Sequence, residues 1–181
     1  MKIVRESMPV LTICGFIGLL SGGVLSSRIE SFISIPGLLI LIPPFLEDGG
    51  AIGGILASRL SSSLHVGTLE SDRIFSRSII RFFLLSHILS LFVFTLVAIV
   101  VYISSSLMGI RTLPFVDLLV VLTTSGQILT LLIDFVAYFV SILSFRRGID
   151  PDNVTIPTIT SVIDLLGAIC LVGILALFGL I

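Results

Sequence analysis

Charge is scarce in this chain. Ten Lys and Arg and eleven Asp and Glu make up 12% of its 181 residues, about half the share found in water-soluble globular domains. That deficit excludes a soluble catalytic domain of this length. The formal net charge of −1 gives no basic surface for nucleic acid and no reason to expect an acidic macromolecular partner. Cysteine is nearly absent as well. Cys14 and Cys170 each sit within an apolar run, far from any paired-Cys or Cys/His spacing, and read as small core residues. His65 and His87 have no Cys, Asp or His at ligand spacing, so a zinc site is unsupported.

What the chain does contain is apolar surface. Hydrophobic residues account for 56% of it and the mean hydropathy is +1.25, which makes lipid the expected solvent. A helix needs roughly 20 apolar residues to cross the hydrocarbon core. Five segments qualify, at about 8–26, 32–62, 79–104, 113–145 and 154–181. The expected fold is therefore an all-α integral membrane protein with five transmembrane helices, forming one domain over residues 1–181 with no cytoplasmic sensor domain. Lys2 and Arg5 before the first run resemble the start of a signal peptide, but the spans that follow favour an anchor that is retained.

Basic residues near the span ends set the expected orientation. With the N-terminus cytoplasmic, Lys2, Arg5, Arg59, Arg73, Arg77, Arg81, Arg146 and Arg147 fall inside, and Arg28 and Arg111 fall outside. This bias follows the retention of short basic loops in the cytoplasm and puts the C-terminus outside. Within the first span, Gly15, Gly18, Gly22 and Ser26 form a stripe of small residues expected to be a helix-packing seam. In the second, Pro43-Pro44 and the run Glu47-Asp48-Gly49-Gly50-Ala51-Ile52-Gly53-Gly54 predict an interrupted helix.

Five carboxylates lie within the apolar spans: Glu47, Asp48, Asp117, Asp134 and Asp164. Each costs about 2.5 to 3.5 kcal/mol at the bilayer centre, so none is expected to face lipid. No Lys or Arg lies deep in a span to neutralise them, which makes a cation the natural partner for some. Asp164 is the leading candidate. On a helix it shares a face with Thr160, Pro157 or Ile156, and Gly167, and Pro157 leaves the carbonyl of Asn153 without its usual donor. Glu47 and Asp48 precede the glycine run, but adjacent acids cannot share one helix face. Asp117 lies close enough to the start of its span to be a solvated end. Gln127, Thr130 and Asp134 form a polar stripe that either a cation or helix–helix hydrogen bonding explains.

The stretch Asp150-Pro151-Asp152-Asn153-Val154-Thr155-Ile156-Pro157-Thr158-Ile159-Thr160-Ser161-Val162-Ile163-Asp164-Leu165-Leu166-Gly167 resembles the last-span signature of the MgtE magnesium transporters and their solute-carrier relatives. Pro43-Pro44-Phe45-Leu46, continuing through Gly50 to Ala57-Ser58-Arg59-Leu60, is similar to their second span. The resemblance implies a dimer whose pore is lined by the second and fifth spans. It also implies that Asp164 holds the transported Mg²⁺ mainly through the ion's water shell, assisted by Thr160 and nearby carbonyls. Glu47 and Asp48 complete the candidate metal-binding set, and Asn153, Pro157, Gly50, Asp134 and Gln127 are the residues expected to line or support the path. Two departures stand out. Gly50-Ala51 occupies the position where the family usually has Gly-Asn, and only Met1 to Ser7 precede the first span where bacterial members carry a sensor.

The expected activity is divalent cation transport across the plasma membrane, without enzymatic chemistry. The chain is expected to work as a homodimer, or as a heterodimer with a sister chain, surrounded by membrane lipid. Two alternatives belong to other classes. Asp48-Gly49 with Ala57-Ser58-Arg59, Gly67 and Asp72 faintly resembles lipid-headgroup transferases, although Ser58 intrudes and the later acid pair is missing. A non-transporting membrane subunit is the other.

Overall fold

The computed structural model describes residues 2–69 and 77–181, with side-chain surroundings from residue 8 onward and excluding 152 and 153. The side chains of Lys2, Arg5 and Asn153, and all of Asp72 and Arg73, lie outside that description. Among the described residues, six helices run in chain order: α1 Lys2–Ser26, α2 Ile29–Ser34, α3 Gly37–His65, α4 Arg77–Leu107, α5 Phe115–Arg146 and α6 Pro151–Leu177. No strand occurs among the described residues. Five of the helices contain apolar segments long enough to cross a bilayer: Met8–Ser26, Gly37–His65, Arg77–Leu107, Phe115–Arg146 and Val154–Leu177. In hydrocarbon no water is available to the backbone, so a helix that satisfies its own N–H and C=O groups is the form these segments must take.

The second span departs from expectation in two ways. First, the chain bends ahead of the prolines. The short helix α2 buries Phe32, the backbone turns at Ile35–Pro36, and α3 begins at Gly37, whose N–H donates to the carbonyl of Arg111 (2.9 Å) in the α4–α5 connection. Second, α3 is continuous through Pro43, Pro44 and the glycine run. The glycines explain this continuity. A Cβ on Gly49 would meet Leu129 and Ile163, and one on Gly53 would meet Ile159, Ile133 and Ile163. These positions are therefore packing recesses for α5 and α6, and burial of that face offsets the weak intrinsic helicity of glycine. At 29 residues, α3 is about 43 Å long, so it must tilt or extend past the hydrocarbon.

Helices α3, α4 and α5 pack on one another, α6 lies against α3 and α5, and α1 lies along α6. The centre is the meeting of Phe45 on α3, Phe94 on α4 and Gly126 on α5. The two rings are 5.0 Å apart, both Phe side chains are fully buried, and Gly126 leaves room for the Phe94 ring. The turn from α5 into α6 uses Gly148 at φ 69°. There the N–H of Ile149 donates to Ser144 O (3.0 Å), closing the α5 C-terminus as left-handed glycine caps do.

The small-residue stripe of α1 is not a packing seam within this chain. A Cβ on Gly15, Gly18 or Gly22 would meet nothing within 4 Å. The face turned to α6 is instead that of Cys14 and Ser21, both buried. Their side chains donate to backbone carbonyls of α6, Cys14 Sγ to Pro157 O (3.3 Å) and Ser21 Oγ to Asp164 O (2.5 Å).

Gly126→Ala is expected to lower stability by about 1 to 3 kcal/mol through overpacking against Phe94. Gly173→Ala, where a Cβ meets open space, should leave it nearly unchanged. Thermal unfolding of the detergent-solubilised variants measures the difference.

Candidate functional site

Asp164 lies near the middle of the Val154–Leu177 apolar segment and is half-buried. Its backbone carbonyl is held by Ser21, while among the described residues its carboxyl group makes no hydrogen bond or ion pair. One turn earlier, Thr160 is exposed, and its hydroxyl lies 2.9 Å from Pro157 O and 3.3 Å from Ile156 O. The Thr160 proton thus serves its own turn, as mid-helix threonines commonly do, leaving the oxygen lone pairs outward. The carbonyl of Pro157 also lies within reach of Ser161 Oγ (3.1 Å) and Cys14 Sγ.

The two neighbouring acids of α3 diverge by the 100° step of the helix. Asp48, half-buried, shares its stripe with Ile52 and Ile55, which border α4. Glu47, exposed, shares its stripe with Gly50 and Gly54, where a Cβ would meet nothing within 4 Å. Neither carboxyl has a hydrogen bond or ion pair among the described residues. Asp117, in the first turn of α5, borders a small cavity of about 230 Å³ with Val120, Val121, Phe178 and Leu180.

Asp134 differs from all of these. It is 0% exposed and accepts from Ser86 Oγ, which lies 2.8 Å from each carboxyl oxygen. His87 Nε2 stands 3.7 Å from Oδ2. Gln127 extends the network, with its Nε2 donating to His87 O (3.1 Å) and Ser90 Oγ (3.2 Å), and its Oε1 facing His87 Nδ1 (2.8 Å). Thr130 Oγ1 lies 2.7 Å from Ser90 Oγ. The stripe Gln127, Thr130, Asp134 therefore finds its complement on α4, in Ser86, His87 and Ser90. Those partners went unrecognised in the sequence, where Ser86 and Ser90, one turn apart and flanking His87, were the available signal.

No three of the described His, Cys, Asp and Glu residues converge on a point that could hold a metal. Among the described residues the in-span acids thus divide into two kinds: Asp134, enclosed by donors, and Glu47, Asp48, Asp117 and Asp164, whose carboxyl groups have no hydrogen bond or ion pair. The transferase alternative would pair Asp48 with Asp72, and Asp72 lies outside the described residues.

These features define a class, a polytopic helical membrane protein with carboxylates inside its spans. The family model MgtE, described as a divalent cation transporter, matches residues 42–174, and the chain belongs to that family. No curated protein and no solved structure matches it.

Ser86→Ala is expected to cost about 0.6 kcal/mol, the average for hydrogen bonds between membrane helices, and at most about 1.7 kcal/mol. In an Asp134→Asn background the cost should shrink. A double-mutant cycle on unfolding from micelles reads the coupling; additivity of the two substitutions would show that the Ser86–Asp134 contact contributes nothing.

Proposed function

We propose that this protein moves Mg²⁺ across the cell membrane along a path bordered by α3 and α6, with Asp164 as the central ion-binding carboxylate and two chains enclosing the path. The observation that carries this reading is the carboxyl group of Asp164, mid-span and without a partner among the described residues. A bare carboxylate facing lipid is too costly to be retained. A passing cation with its water shell, covered by a second chain, removes that cost. Mg²⁺ suits such a site because it keeps several waters and needs only one or two carboxylates.

Thr160 extends the polar surface one turn along α6, and Pro157 and Asn153 flank it. On α3, the open stripe of Glu47, Gly50 and Gly54 presents a carboxylate and two positions without side-chain bulk, where a hydrated ion can come close to backbone carbonyls. Asp48 adds negative potential from the neighbouring face. Asp134 and Gln127 support the path by holding α5 to α4. The second chain is a copy of this one, and a sister chain is the alternative. Basic residues near the span ends support a cytoplasmic N-terminus and an outward C-terminus.

Proteoliposomes containing only this protein should take up Mg²⁺, as read by an entrapped indicator dye, and Asp164→Ala should reduce the rate at least tenfold while the purified oligomer keeps its mass. Wild-type-like uptake by Asp164→Ala would refute the central role of the carboxylate. Uptake that appears only after addition of a sister chain would identify the heteromer. Competition by Mn²⁺, Co²⁺ and Ca²⁺ in the same assay ranks the ions. A C-terminal fusion to a phosphatase that is active only outside the cytoplasm should be active, and an inactive fusion of normal abundance would reverse the orientation.

A further inference from the structure

A groove of about 480 Å³ runs between α3 and α4, within the size range of ligand-binding pockets. Its walls are apolar, formed chiefly by Ile52, Ile55, Leu85, Leu89 and Phe92, and it includes Arg59. It is open sideways, since Ile55, Leu85 and Phe92 remain 49%, 57% and 69% exposed. Ser86 also borders it, but its hydroxyl is engaged by Asp134 and by the carbonyl of Phe83. The groove therefore offers little polar surface along its length. Arg59 is exposed and has no ion pair or hydrogen bond among the described residues. It stands in the last two turns of α3, from which a long side chain reaches the headgroup level.

We propose that this groove seats an acyl chain of an anionic phospholipid whose phosphate is bound by Arg59. An apolar channel within a membrane span fits a hydrocarbon chain, and the guanidinium beside it, which has no ion pair among the described residues, matches a phosphate, for which arginine geometry is well suited. Charge decides against a second copy of this chain as the occupant. A two-fold contact through this face would bring Arg59 toward its own symmetry mate, and no acid is among the described residues that line the groove. Arg81 precedes Phe82 of the same wall and adds positive potential at that end.

The purified protein in a neutral detergent is to be titrated with palmitoyl-oleoyl phosphatidylglycerol, and separately with phosphatidylcholine bearing the same chains. Thermal unfolding and native mass spectrometry report binding. Phosphatidylglycerol should raise the melting temperature and remain bound, and phosphatidylcholine should do neither. Arg59→Gln should weaken phosphatidylglycerol binding about fivefold, the effect of one basic side chain near an anionic surface, whereas Arg111→Gln should match the wild type. Leu85→Trp, which fills the groove from a lipid-exposed position, should abolish binding.

Four results would each overturn the proposal. The first is equal binding of the two lipids. The second is an unchanged response in Arg59→Gln. The third is a Leu85→Trp protein that binds phosphatidylglycerol normally but has lost its oligomeric state, which would assign the groove to a second chain. Inorganic phosphate reproducing the full shift would likewise remove the acyl chain from the site. None of these measurements involves ion flux, so their failure leaves the role of Asp164 standing.

Discussion

A membrane interior offers no water to a carboxylate. Every acid carried into the spans must find its compensation in the protein or in something that visits it. Asp134 meets that demand within the chain. Ser86 donates to it, His87 stands beside it, and Gln127 and Ser90 hold His87 and Thr130 in place. With those bonds made, the α4–α5 pair is a fixed wall, and α3 packs against it through Phe45 and Phe94. Asp164 meets the demand only in part. Its backbone is anchored by Ser21, while its carboxyl group has no hydrogen bond or ion pair among the described residues. The same physical cost thus produces a structural acid in one place and a functional candidate in another, and what separates them is the number of donors within reach.

The five crossings were legible because hydropathy is a local property that no tertiary contact reverses. The interior of α3 was not. Two prolines and four glycines looked like a break, and only the positions of Leu129, Ile133, Ile159 and Ile163 reveal Gly49 and Gly53 as recesses for neighbouring side chains. The bend that does occur, at Ile35–Pro36, involves a single proline, and the bond from Gly37 to Arg111 that secures it joins residues far apart in sequence. Likewise, the glycine stripe of α1 suggested a seam, yet the helix meets α6 through Cys14 and Ser21. Helical spacing shows which residues share a face, but not which face a neighbour takes.

For the candidate site, chemistry was more legible than placement. The spacing of Pro157, Thr160 and Asp164 could be read directly from the sequence, and the family match over residues 42–174 bears on the family alone. The divergence of Glu47 and Asp48 followed from helix geometry alone. Half of the Asp134 network could not be read in this way, because its α4 members lie some forty residues upstream and a lone histidine between serines has many possible explanations.

The contact between α3 and α6 has a mechanical meaning. The recess at Gly53 receives Ile159 of α6, and the recess at Gly167 receives Leu46 of α3, so each helix plugs into the other at two heights. Sliding one along the other would unseat both plugs at once, and close-packed interiors resist such displacement. The two helices must therefore travel as one body. If the space beside Asp164 widens and narrows during a transport cycle, the moving boundary is the one this coupled pair shares with whatever faces it, while its internal register stays fixed.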